Sequence, residues 1–292
     1  MKLEQLLKEM ENNLIYDDLD YTQLVKDIEP KELVKAILDN IGSTNSLMRE
    51  NVCYMPTYII YGEHISPEDA RKIFDAMLGD THLFKGLDTT KCDSVFTRAF
   101  SSLAVSGLLN LDSHLSLDKD KGFLDDAQIT LAFGHIVKYM NEEVDRRGYV
   151  LGKGWAHAVG HGADMVVSLV DHPKFEIKWA DKILDCVGFQ LICNERYTHG
   201  EETRLANVVP ALIKQGLGSE QLKSWITSLL PKITAKIYTD EHYHSLAPLE
   251  NLRGFLVYLY FILGDDDVST DLAKFVKEFR AQAWGKAHEI GG

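Results

Sequence analysis

The chain has 292 residues, enough for one large domain or two ordinary ones, and 45% are hydrophobic, enough for a sizeable core. With 31 basic against 44 acidic residues the formal charge is −13. Such a surface repels phosphate backbones and anionic lipid, which argues against nucleic acid and membrane as partners.

The acids are spread along the chain, the pattern of solvated helix faces. Cys53, Cys92, Cys186 and Cys193 form no CxxC pair and suit neither a zinc knuckle nor a disulfide framework. Cys186 and Cys193 read as buried apolar thiols. The first 14 residues, MKLEQLLKEMENNL, are charged and amphipathic, unlike a secretory leader. No run approaches the roughly 18 apolar residues of a membrane span. The expected location is the cytoplasm.

Helical periodicity recurs along the chain and strand-like alternation is scarce. Pro30 opens a helix that ends by Gly42, and a second runs from about Thr44 to Tyr61. Ser66-Pro67-Glu68-Asp69 combines a capping serine, a first-position proline and first-turn acids, so a helix follows and stops near Gly79. Further helices are expected over about Asp93–Leu111, Leu124–Arg147 and Gly154–Asp171. After Pro173 come about Glu176–Asn194, Thr198–Gln215 and Ser219–Tyr238, the last kinked or broken at Pro231. The final pair covers about His242–Leu263 and Ser269–Trp284.

These helices are mostly about 15 to 22 residues long and joined by short Gly, Pro or Asp turns, which force neighbours to run antiparallel. A pair with its turns takes about 40 residues, the period of HEAT-type repeats. The expected fold is therefore all-α, with antiparallel helix pairs stacked as a HEAT-like α-solenoid (an α/α superhelix). One continuous domain over residues 1–292 is expected, with a compact helical bundle as the alternative.

Residues 146–164, RRGYVLGKGWAHAVGHGAD, depart from ordinary helix grammar. On a helix from Gly154, at about 100° per residue, Trp155, Val159, Val166 and Val170 share one arc. His157, His161, Asp164 and Ser168 share another, nearly opposite. Ala156, Gly160 and Ala163 lie between, small enough to admit a close neighbouring helix. Two histidines at i and i+4 with an aspartate at i+7 suit a divalent metal such as zinc or manganese. They equally suit a carboxylate-oriented acid/base pair, or histidines satisfied by partners between helices. The HExxH arrangement is absent, because Ala158 follows His157.

Two other segments add polar density. Glu143 and Arg147 stand at i and i+4 and are expected to form a partly buried pair. Glu201 and Glu202 flank the Leu205, Val209 and Leu212 stripe. Either they cap the helix N-terminus, or they face Arg146, Arg204 or the histidines across adjacent helices. Arg98 sits off the Phe96/Phe100 face, either as a solvated charge or as another partner of the cluster. No P-loop, GxGxxG or GxSxG occurs.

DSVFTRAFSSL (Asp93–Leu103), EEVDRRGYVLGKGWAHAVGHGADM (Glu142–Met165) and HGEETRLANVV (His199–Val209) resemble, in order and spacing, the bacterial "domain of unknown function 2785" family. The similar region extends from about residue 40 to 235. The resemblance implies a helical, HEAT-like fold and supplies no activity. Its recurrent residues correspond to Asp93, Arg98, Asp145, Arg146, Gly148, Trp155, His157, His161, Asp164, Glu202 and Arg204.

Three functions compete. A helical scaffold would bind a small molecule or peptide through Trp155, His157, His161, Asp164, Glu202, Arg204, Arg146, Asp145 and Arg98. A metal-dependent hydrolase would use His157, His161 and Asp164 as ligands and Glu202 as base or further ligand. A purely structural cluster would only lock helices together.

Overall fold

A computed structural model describes residues 2–15, 21–119, 121–238 and 246–291. The chain runs α1 (Leu3–Asn12), α2 (Tyr21–Val25), α3 (Pro30–Asn40), α4 (Ser46–Tyr61), α5 (Pro67–Met77), α6 (Ser94–Lys119) and α7 (Asp126–Glu142). A hairpin follows, β1 (Tyr149–Val150) and β2 (Gly154–Trp155), then α8 (Ala158–Val170) and a single 3-10 turn at Ile177–Trp179. Beyond it come α9 (Ala180–Leu191), α10 (Glu201–Ala206), α11 (Val208–Lys214), α12 (Ser219–Tyr238), α13 (Ala247–Ile262) and α14 (Asp267–Gly291). The chain is mostly helical, and the hairpin is the only sheet among the described residues. It divides into two compact units, residues 1–174 and 175–292.

Local chemistry sets most boundaries. Ser66 Oγ accepts from Asp69 N at 3.1 Å and Asn45 Oδ1 from Met48 N at 3.1 Å, so both helices start where their caps stand. Asp125 and Gln128 form a reciprocal capping box on α7.

Several expected helices differ from the observed ones. The segment expected from Thr198 to Gln215 is two helices, because Pro210 has no N–H to offer the carbonyl of Ala206, where α10 ends. Pro231, expected to kink or break its helix, does not break it: α12 runs through it from Ser219 to Tyr238. The helix expected from His242 begins at Ala247; residues 239–245 lie outside those described. Helix α7 stops at Glu142 instead of reaching Arg147, and Glu143 turns extended at φ −67°, ψ 120°.

The expected Gly154–Asp171 helix begins only at Ala158. Gly152, Gly154 and His157 hold φ values of 78°, 80° and 54°. These left-handed conformations cannot continue an α-helix, and they turn the chain through a three-residue hairpin loop instead. The pairs Tyr149–Trp155 and Val150–Gly154 set the register.

In the first unit α8 makes its most extensive contacts with α6, and α6 also packs on α4. Phe96, Ala99, Phe100, Val105, Leu108 and Leu109 of α6 are fully buried, as are Met165, Val166, Leu169 and Val170 of α8. The helical wheel gave α8 one core stripe and a second, polar arc that it left either open or enclosed between helices. Both are enclosed: His161 is 7% exposed and Ser168 4%. A helix apolar nearly all round is a buried helix, and α8 has neighbours in both α6 and α7. In the second unit Leu252, Phe255, Leu256 and Leu259 make α13 the buried centre, in contact with α9, α10, α12 and α14.

Candidate functional site

The segment leaving α7 is built around a buried cation. Arg98 is fully enclosed on α6, and its Nε donates to Glu143 Oε2 at 2.6 Å while Nη2 donates to Oε1 at 3.0 Å. Its Nη1 reaches the carbonyls of Lys85 and Gly86 and the hydroxyl of Ser94 at 2.8–2.9 Å. Asp145 N donates to Glu143 Oε1 at 2.8 Å, so Arg98 and Asp145 belong to one network. The Asp145 carboxylate accepts from Arg147 Nη2 at 2.6 Å and from Lys91 N at 3.1 Å. The expected Glu143–Arg147 pair is thus replaced by Arg98–Glu143 and Asp145–Arg147. The reason is the helix end: once Glu143 leaves α7, the i, i+4 relation no longer applies. Arg98 is no solvated charge. Arg146 is half-buried beside this network.

The hairpin is pinned by a residue that the motif reading passed over. Arg49, fully buried on α4, donates through Nη2 to the carbonyls of Lys153 (2.8 Å) and Trp155 (2.9 Å), and through Nη1 to that of Ser43. Its guanidinium lies 4.3 Å and 4.5 Å from the ring centres of Phe96 and Phe100. Burial lowers its pKa to about 10. The signal was present, since Arg49 heads the i, i+4, i+7, i+11 series Arg49, Cys53, Pro56, Ile60, all buried. On the outer side Lys153 Nζ grips both oxygens of Asp93 at 2.6–2.7 Å.

Trp155, His157 and His161 come together as a ladder of rings. Trp155, 40% exposed, meets Tyr149 edge-on at 5.2 Å and stacks on His157 at 5.4 Å with 26° between planes. His157 meets His161 at 5.5 Å, and His161 meets the buried Phe100 at 5.3 Å. Gly160 makes room for this: a Cβ there would stand 2.7 Å from His157 Cδ2. Gly162 serves packing, because its Cβ would stand 2.7 Å from Met140 Sδ and 2.9 Å from Tyr139 Cε1 on α7.

Asp164 lies half-buried one turn beyond His161. Among the described residues no three His, Cys, Asp or Glu side chains are placed to hold a metal ion together. The expected His157, His161, Asp164 ligand face required all three on one helix. His157 instead caps α8 from outside it, with a left-handed backbone.

Glu201, Glu202 and Arg204 belong to the second unit. Glu201 is 2% exposed and accepts from His199 N at 3.1 Å, so it closes its own turn as a capping acid does. Burial raises its pKa, backbone N–H groups opposing. Glu202 is half-buried and lies against Gly254 of α13, where a Cβ would stand 2.9 Å from Glu202 Cγ. Arg204 is half-buried in the last turn of α10.

No curated protein and no solved structure matches this chain. One family model does, over residues 83–261, starting and ending later than the span of about 40–235 expected from the motifs. The matched stretch holds the Arg98 network, the hairpin, the histidines and Glu202. The chain therefore belongs to the family described as "Protein of unknown function (DUF2785)".

Proposed function

We propose that the protein is a helical binding scaffold, and that the hairpin ahead of α8 is its recognition surface for a small molecule or peptide. The ring ladder carries this reading. Trp155 and Tyr149 expose aromatic faces, Leu151 between them is 92% exposed, and the loop that bears them is tied down by Arg49 and by Lys153–Asp93. Exposed aromatic side chains on a preorganised loop bind at low entropic cost, by stacking on a planar group or by covering an apolar side chain. His157 adds a polar ring directly beneath Trp155.

The HEAT-like reading has its support in the first unit, where alternate helices touch: α4 with α6, α6 with α8, and α3 with α5. That is the neighbour pattern of stacked helix pairs. The charge of −13 favours neutral or cationic partners over nucleic acid and anionic membrane. No helix among the described residues is long and apolar enough to cross a membrane. Together these features favour a cytoplasmic binding protein.

The test is a ligand screen by NMR on protein labelled at the tryptophan indoles, using planar heteroaromatic fragments and short peptides. Compounds that shift the Trp155 indole resonance and lose at least tenfold in affinity with Trp155→Ala are expected. Trp155 is 40% exposed and covers the His157 ring, so a circular dichroism melt of the variant accompanies the titration. A screen whose binders are all indifferent to Trp155→Ala refutes the proposal.

A further inference from the structure

We propose that the second unit carries a separate site for an organic cation, an ammonium or amidinium group on an apolar body, with Glu202 as its counter-charge. A cavity of about 380 Å³ lies between the loop before α10, α10 itself and one face of α13. That volume falls within the range of small-ligand pockets. Its wall combines Glu202 with Tyr197, Val257, Tyr258 and Phe261.

Three observations point to a cation. First, Glu202 Oε2 is buried and accepts no hydrogen bond from the described residues. A carboxylate oxygen so placed has lost water without gaining a donor, and an N–H-bearing cation in the cavity would supply one once the half-buried Glu202 side chain turns Oε2 toward it. Second, one cation of the wall has a carboxylate of its own, since Arg253 Nη1 pairs with Glu250 Oε1 at 2.5 Å. Arg196 stands exposed. Third, Tyr197, Tyr258 and Phe261 put aromatic rings into the wall beside Thr203 and Asn251, with Phe261 73% exposed, and ring faces attract an organic cation whose apolar body they can also cover.

The site is also prepared. Asn251 on α13 accepts from Tyr197 N and donates to the Glu195 carbonyl, both at 3.0 Å, which holds the loop wall against the helix. Gly254 leaves the space in which the Glu202 side chain lies, and any larger residue would displace it. Nothing in this site depends on Trp155 or the hairpin.

The probe is benzamidine, with neutral benzamide and anionic benzoate of the same shape, titrated into the whole chain by calorimetry and saturation-transfer NMR. Saturable benzamidine binding is expected, with benzamide and benzoate at least tenfold weaker. Glu202→Gln should weaken benzamidine at least tenfold. Phe261→Ala, at an exposed position that cannot endanger folding, should weaken it about two- to fivefold. If Glu202→Gln does not fold, the charge preference and the Phe261 variant decide the matter. Benzamidine that fails to saturate at millimolar concentration, binds both variants as it binds the native chain, or is matched by benzoate overturns the proposal.

Discussion

Glu143→Gln tests the electrostatic centre of the first unit. The substitution keeps the side-chain shape and one carbonyl oxygen but removes the negative charge that faces Arg98. In the native chain that carboxylate accepts hydrogen bonds from Arg98 Nε, Arg98 Nη2 and Asp145 N among its partners. Glutamine leaves one of the two Arg98 contacts with an NH2 group opposite an N–H donor. Arg98 is fully enclosed and Glu143 is 1% exposed, so water cannot step in. An uncompensated buried charge costs about 3–5 kcal/mol. The neutral acceptors on Nη1 remain, so the lower end, about 3 kcal/mol, is expected. Removing both partners as Arg98→Met with Glu143→Leu should cost less than the sum of the single changes, because neither charge is then stranded. Native-state hydrogen exchange of the α6 amides reads the first unit directly. Unchanged α6 protection in Glu143→Gln, or simple additivity in the double variant, would refute the argument that this pair is a closed buried unit.

Ala163→Leu should overpack α8, where Ala163 is fully buried, and lower stability by about 1–3 kcal/mol in the same exchange measurement. An unchanged value would mean that this face has room. Glu201 titrates with the opposite sign to a salt-bridged acid. Its folded-state pKa is raised, so the stability penalty is fully present above that raised value and vanishes as pH falls below the ordinary carboxyl range of about 4. Glu201→Gln should therefore raise the urea midpoint of the second unit at pH 7.5, with the gain closing by pH 4. A gain independent of pH would show that burial of the charge is not its source.

Much of the fold is legible in local chemistry. The capping signals at Ser66 and Pro30 start helices because a side-chain oxygen or a preset φ acts within one turn, whatever surrounds it. The spacing of apolar residues yields an all-helical chain for the same reason. The composite site was legible only in part. Trp155, His157 and His161 do gather, yet by stacking around a left-handed turn that a helical wheel beginning at Gly154 does not contain.

What only the tertiary structure decided is which helix meets which side chain. Arg98 looked like a charge beside an apolar stripe until the extended Glu143 reached it from a residue 45 positions away. Arg49 stood in line with the apolar positions of its own helix, but nothing local told that its guanidinium would meet carbonyls more than 100 positions along the chain. Partners so distant leave no period in the sequence, because period records only neighbours on one helix. The exposure of α8 was undetermined for the same reason. Whether a polar arc is a surface or a buried seam depends on whether α6 lies across it, and α6 does.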